Sequence, residues 1–252
     1  MGKDSMQQNE SPGLPRKVHP AVIAAWAAFV AISGLVPVIP VIGSGAAFSL
    51  SDAAVVLAGI LFGPVAGTLS AAIGSFLGQL IAPYTAVFGI ITFLAPTLAA
   101  LTAGLLMSKK WHYVVGIFGL VIFAWLLFPL GQEAWFQIFH WIFAIIVAVP
   151  AGIWGAGLIK TGDFRKMFAG AFMIAFVGCM ASHGLGCVLS LPVLQLPREV
   201  WLAVVPIVVP QRIAFAVLAG VIGVPLLKLF PHIGIAAGLD LVKPAIGRKR
   251  SV

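Results

Sequence analysis

AAVVLAGILFGPVAGTLSAAIGSFLGQLIAPYTAVFGIITFLAPTLAALTAGLLMS, residues 53–108, contains no lysine, arginine, aspartate or glutamate. A bilayer core is crossed by about 20 apolar residues in a helix, and backbone polar groups in lipid must be satisfied within the segment, so each crossing is helical. At about 1.5 Å per residue the stretch holds two or three crossings. Gly63-Pro64 and Ala82-Pro83 are natural breaks. They divide it into roughly 52–63, 64–82 and 85–107, of which the first is short. Outward from this stretch, further apolar runs read as spans at 20–40, 113–131, 134–159, 167–191 and 202–230. The run 20–40 opens at His19-Pro20, proline being suited to a first helical turn, and is expected to close at Pro37 and Pro40.

Charge decides between two and three crossings. With three, eight helices and a cytoplasmic start put all of the 15 Lys and Arg residues on the inside except Arg198 and Arg212. With two, Lys109, Lys110 and the basic Gly247-Arg248-Lys249-Arg250 would move outside, against the bias of cytoplasmic loops toward Lys and Arg. The expected fold is therefore all-α: a polytopic transmembrane helix bundle of about eight spans in the cell membrane, with N- and C-termini cytoplasmic. Residues 1–19 read as a cytoplasmic tail, 20–230 as the transmembrane domain and 231–252 as a basic cytoplasmic tail. Arg16 and Lys17 ahead of an apolar run resemble the start of a signal peptide, with 43–47 imitating a cleavage site, but a retained first span is the simpler reading.

Composition agrees. The chain of 252 residues is 61% hydrophobic and 9% charged, with a mean hydropathy of +1.12, whereas a soluble domain carries roughly 25% charged residues. The net charge of +8 comes from short clusters between long uncharged runs, which points to anionic lipid rather than nucleic acid. Cys179 and Cys187 are eight residues apart, about 12 Å along one helix, too far for a disulfide.

Polar side chains in a membrane are costly and mark function. On the outer side the threading gathers Ser49, Ser51, Asp52, Gln79, Tyr84, Thr85, Gln132, Glu133, Gln137, His140, His183, Arg198, Glu199, Gln211 and Arg212. Nine of these are candidate substrate contacts: Ser49, Ser51, Asp52, Gln79, Tyr84, Glu133, His183, Gln211 and Arg212. Plainer roles stand beside them. Ser51 would cap the helix that begins at Asp52, Asp52 would favour the positive helix start, and Arg212 would snorkel to the interface. Trp135, Phe136, Phe139, Trp141 and Phe143 read as an aromatic belt or as a stacking wall for a planar ligand. Cys179, His183 and Cys187 share a helical face and are a candidate haem or metal set, but the two sulfurs reach one ion only if the helix breaks, for example at Gly184 or Gly186. Gly59, Gly63 and Gly67, four apart, allow close helix packing, as do Ala24/Ala28 and Ala27/Ala31. There is no HExxH, GxSxG, Walker A or aspartate pair, so no enzyme activity, cofactor or self-contained ATP hydrolysis is expected.

Residues 48–67, FSLSDAAVVLAGILFGPVAG, resemble the loop and second helix of substrate-binding S components of energy-coupling factor (ECF) transporters, riboflavin-type members above all. Val209-Pro210-Gln211-Arg212 and the stretch 218–227 are similar to their final helix. The resemblance covers about 20–107 and 166–230. It implies a six-helix core, with 113–159 as an added pair. It implies capture of a vitamin-type small molecule, a separate coupling transmembrane subunit and ATPases as partners, and docking on the coupling subunit through small residues of the first helix: Ala24, Ala27, Ala28 and Ala31. Two further readings stay open: a stand-alone secondary transporter or channel using Asp52, Glu133, His183 and Arg212, and a haem- or metal-binding membrane subunit.

Overall fold

A computed structural model of the chain describes residues 18–40 and 46–238. Most of the two expected tails, 1–17 and 239–252, therefore falls outside the described residues. Helix α1, Pro20–Ser33, starts where expected: Pro20 fills its first turn, and His19 Nδ1 accepts the Ala21 N–H at 3.2 Å. It does not run to residue 40. The chain leaves the helix at Gly34, and strand β1, Pro37–Pro40, pairs antiparallel with β2, Ala47–Ser49. Proline disfavours a helical residue before it and brings no N–H, so Pro37 and Pro40 favour an extended edge instead.

Helix α2, Ser51–Ile81, carries Pro64 and a non-helical Gly63 (φ 77°, ψ −175°). In a continuous helix Gly59 and Gly67 would lie about 12 Å apart. Here a Cβ on Gly67 would stand 2.8 Å from Gly59 Cα and closer still to the Ala58 carbonyl. The chain thus reverses at Gly63, a backbone conformation open in practice only to glycine, and α2 is two arms, 51–62 and 64–81, lying against each other. The three-way division of 52–108 is present. Every residue from Ala53 to Gly63 is buried, so the short first arm is the central rod of the bundle, as a helix apolar on all sides should be. Its neighbours approach closely through small residues. Gly59 meets Ala100 and Ala103 of α3, Leu94–Met107, while Gly74 and Gly78 of the second arm meet Ala27, Val30 and Ala31 of α1.

A 3₁₀ turn, Gly89–Phe93, leads into α3. Then come α4, Trp111–Leu126, the short α5, Pro129–Glu133, and α6, Ile138–Pro150, which continues through a π turn, Ala151–Gly155, into α7, Ala156–Lys160. Helix α8, Phe164–Leu194, is capped by Asp163 Oδ1, which accepts the Lys166 N–H at 3.0 Å, and ends at the left-handed Gln195. Helix α9, Arg198–His232, contains Pro206, Pro210, Pro225 and Pro231. Five helical stretches are long and apolar enough to span a membrane, α2 among them, and α1 and α4 are shorter apolar helices. Counting α2 as two arms, and α6 with α7 as one, gives eight main helical segments among the described residues.

The bundle has two unlike ends. At one, Phe62 stacks on Phe230 with centroids 6.1 Å apart and Gly104 abuts Pro64. That end therefore collects the Gly63 reversal, Lys109 and Lys110, the 160–166 link and the close of α9. At the other end lie the β1–β2 hairpin, the 82–88 turn and the 195–198 link; the Tyr84 hydroxyl donates to the Gly34 carbonyl and Arg198 Nε to the Glu133 carbonyl. Helix α4 buries a stripe of Val114, Phe118, Val121 and Trp125 and leaves Tyr113, Leu120 and Phe123 outward.

Because backbone faces Gly67, a Gly67→Val substitution is expected to destabilise the bundle by about 1–3 kcal/mol or more. Gly116, with nothing within 4 Å of its would-be Cβ, should accept alanine with little change. Thermal unfolding in detergent micelles compares the two.

Candidate functional site

The hairpin end encloses a cavity of about 190 Å³. A single buried water needs about 10–15 Å³ of such space, so the cavity suits a molecule of many atoms rather than a bare ion. Its wall is drawn from the hairpin, the start and second arm of α2, the 85–96 segment, α8 and α9. Both halves of the chain contribute, as the threading requires.

The Gly63 reversal returns the second arm of α2 to the end where the first began, which puts Asp52 and Gln79 on one cavity. The Ser49 N–H donates to Asp52 Oδ2 at 3.2 Å, and the Ser49 and Ser51 hydroxyls lie 2.6 Å apart. Ser51 therefore does not cap α2, whose N-cap is Leu50 with no side-chain bond; Asp52 instead ties the hairpin to the helix start. Gln79 donates through Nε2 to the Ile90 carbonyl at 2.8 Å, while its Oε1 has no partner. Ser75, one turn earlier, also lines the cavity with an unpartnered hydroxyl.

Arg212 does not snorkel. It is 1% exposed, on the inner face of α9 beside Gln211, with its Cζ 4.5 Å from the centre of the Phe48 ring. That is cation–π distance. Neither Nε nor Nη1 has a hydrogen-bond partner, and Asp52, though it lines the same cavity, does not hydrogen-bond it. His183, on α8, has Nε2 3.5 Å from Cys187 Sγ and its ring 6.0 Å from that of His140.

Seven of the nine candidate contacts, Ser49, Ser51, Asp52, Gln79, His183, Gln211 and Arg212, thus line one cavity. Tyr84 and Glu133 do not. Tyr84 is half-buried, and its hydroxyl is committed to the Gly34 carbonyl. Glu133 is exposed at the rim of a separate shallow depression beside Arg198 and Glu199, which removes it from any polar route shared with Asp52, His183 and Arg212. Gln137 and His140 are buried outside the cavity. Gln137 Nε2 donates to the Trp201 carbonyl at 3.0 Å, and His140 lies 2.9 Å from Gln137 Oε1 and 3.1 Å from the Val205 carbonyl, so the α4–α6 pair holds the outer part of α9. Of the aromatic group at 135–143, Trp141 is buried against Trp125, while Trp135, Phe139 and Phe143 face outward.

Helix α8 is unbroken at Gly184 and Gly186, so Cys179 and Cys187 remain two turns apart. No group of three His, Cys, Asp or Glu fit to hold a metal occurs among the described residues. Ala27 and Ala31 are buried against the second arm of α2; Ala24 and Ala28 are exposed, which leaves a narrower alanine face than four residues imply. Ser75, Phe48, Phe88 and Trp201 line the cavity but were not among the candidate contacts. Only Ser75 carried a usable signal, its i, i+4 spacing from Gln79 on one helical face.

The apolar helix bundle thus carries a solute-sized cavity at one end. The sequence model of the ECF-type riboflavin transporter S component family matches residues 18–197, and the chain belongs to that family. That family is described as a component of a transporter. The matched range includes the 113–159 segment and stops before α9, so the likeness noted for 209–227 lies beyond it. An uncharacterized protein of Methanocaldococcus jannaschii is 28% identical over 162 residues, covering 64% of this chain and 54% of that protein; the chain spans about half the length of this relative. No solved structure matches the chain.

Replacing Gln137 with leucine strips a bond from the Trp201 carbonyl and from His140 together. A loss of about 1–3 kcal/mol in stability is expected, against little change for Gln132→Leu on the exposed surface. Thermal unfolding of the two variants measures it.

Proposed function

We propose that the chain is the substrate-capture subunit of a vitamin-type importer, energised by separate ATPases through a coupling membrane subunit. The observation that carries the reading is the cavity at the end away from the lysine-rich links, in a chain of the S component family. By the positive-inside rule the end bearing Lys109, Lys110, Lys160 and Lys166 is cytoplasmic, and the cavity then opens to the outer side. A solute entering there leaves water for walls rich in Phe48, Phe88, Phe93 and Trp201, which supplies the affinity, while the few polar groups orient it.

The chain has no Walker A sequence, so reorientation of the loaded bundle draws its energy from partners. The exposed Ala24 and Ala28 of α1 offer the smooth face through which a coupling helix approaches closely. Ala27 and Ala31 support that face from within rather than forming it.

Co-expression with a coupling subunit and its ATPases is expected to give ATP-dependent uptake of a solute from a labelled vitamin set that includes riboflavin. Ala28→Trp should abolish co-purification of the coupling subunit and leave solute binding by the isolated chain intact. Accumulation by the chain alone in liposomes, driven by an ion gradient, would refute the capture role.

A further inference from the structure

The cavity's bare polar atoms sit on two elements, Arg212 on α9 and Ser75 and Gln79 on the second arm of α2, and each asks for a different partner. We propose, resting on the capture role above, that the guest is a two-ended solute: a carboxylate at one end meets Arg212, and a hydrogen-bond donor at the other meets Gln79 and Ser75.

Arg212 is the sole lysine or arginine among the described lining residues, is 1% exposed, and has unpartnered N–H groups on Nε and Nη1. A guanidinium does not shed its charge, and a buried charge without partners is strongly disfavoured. The Phe48 ring at 4.5 Å attracts the cation but satisfies none of its N–H groups. The planar donor array is matched by the two coplanar oxygens of a carboxylate, whereas a single carbonyl leaves donors bare. Asp52 already sets one negative charge against this cation, so a single carboxylate is easier to accommodate than a phosphate dianion.

Asp52 also lines the cavity and opposes a guest anion. It is already engaged, however: its Oδ2 accepts the Ser49 N–H, and it sits in the first turn of α2, where free helix N–H groups offset negative charge. Its charge acts on Arg212 across the cavity, yet it takes up neither the Nε nor the Nη1 hydrogen of the guanidinium, which stay without an acceptor. On the second arm of α2, Gln79 Oε1 and Ser75 Oγ are bare, and Gln79 Nε2 is spent on Ile90. An acceptor oxygen and a hydroxyl at that place call for a hydroxyl or amide N–H on the guest. Thr102 and the indoles of Trp125 and Trp141 are bare as well, but they lie off the cavity wall.

The purified chain is heated with the acidic and the neutral-plus-basic fractions of a yeast extract, separated on an anion exchanger. A ligand bound only by the folded form raises the melting temperature. The acidic fraction is expected to raise it by roughly several degrees. Arg212→Met should lose that shift, and so should the double variant Asp52→Asn/Arg212→Met, which leaves no lone buried charge and should melt near the parent; Arg212→Lys should keep part of it, and Asp52→Asn should enlarge it. A shift with the neutral-plus-basic fraction alone, an acidic shift that survives Arg212→Met, or one lost in Asp52→Asn overturns the carboxylate assignment and leaves the capture role standing. No shift with either fraction removes the capture role, and this assignment with it.

Discussion

Hydrocarbon offers a peptide group nothing to bond with, so the chain must close its backbone bonds inside each crossing and change direction only where water or protein takes over. The Gly63 reversal obeys this constraint, and much of the site depends on it. As one rod, α2 would be about 46 Å long, well beyond a hydrocarbon core of about 30 Å, and Asp52 and Gln79 would stand at opposite ends. Folded at a glycine with φ 77° and followed by a proline that needs no N–H partner there, it becomes the buried central rod and its neighbour. The cavity then receives residues from both arms. Gly59 and Gly67 make the fold dense at that point, so the turn and the packing are one feature.

Polar side chains in the bundle divide by what they bond. Tyr84, Gln137, His140 and Ser70 spend their hydrogen bonds on the chain's own carbonyls or on each other. They hold turns and helices in place. Arg212, Ser75 and one end of Gln79 do not, and these three residues line the same space. Thr102 and the indoles of Trp125 and Trp141 are also without partners, away from that space, so what sets the cavity apart is that a charged group is among its incomplete ones.

The crossings were legible in the sequence because two long-range signals agree: uncharged runs of the right length, and lysines that fall on one side only when 52–108 is crossed three times. The stretch 34–50 was not, since an apolar run with two prolines fits the end of a helix as well as an extended hairpin, and only the pairing of Ile39 with Phe48 separates the two. In the site, Asp52, Gln79, His183, Gln211 and Arg212 could be read because polarity is rare in such a chain. Phe48 and Trp201 could not, as an aromatic residue in an apolar sequence has the same signature whether it faces lipid, core or cavity. Tyr84 and Glu133 shared the polarity but not the position: depth along the span is readable from sequence, and rotation about the bundle axis is not. For the same reason the four alanines of α1 looked like one face, although Ala27 and Ala31 turn inward.

The α4–α6 pair grips α9 by side chains reaching carbonyls at Trp201 and Val205 and by the contact of Trp125 with Trp201, centroids 5.0 Å apart. Trp201 is also cavity wall. Helices that contribute no residue to the cavity wall therefore set its shape. The site is not a portable set of side chains: moved into a bundle without the α4–α6 pair, the cavity residues would keep their chemistry and lose the scaffold that fixes their spacing.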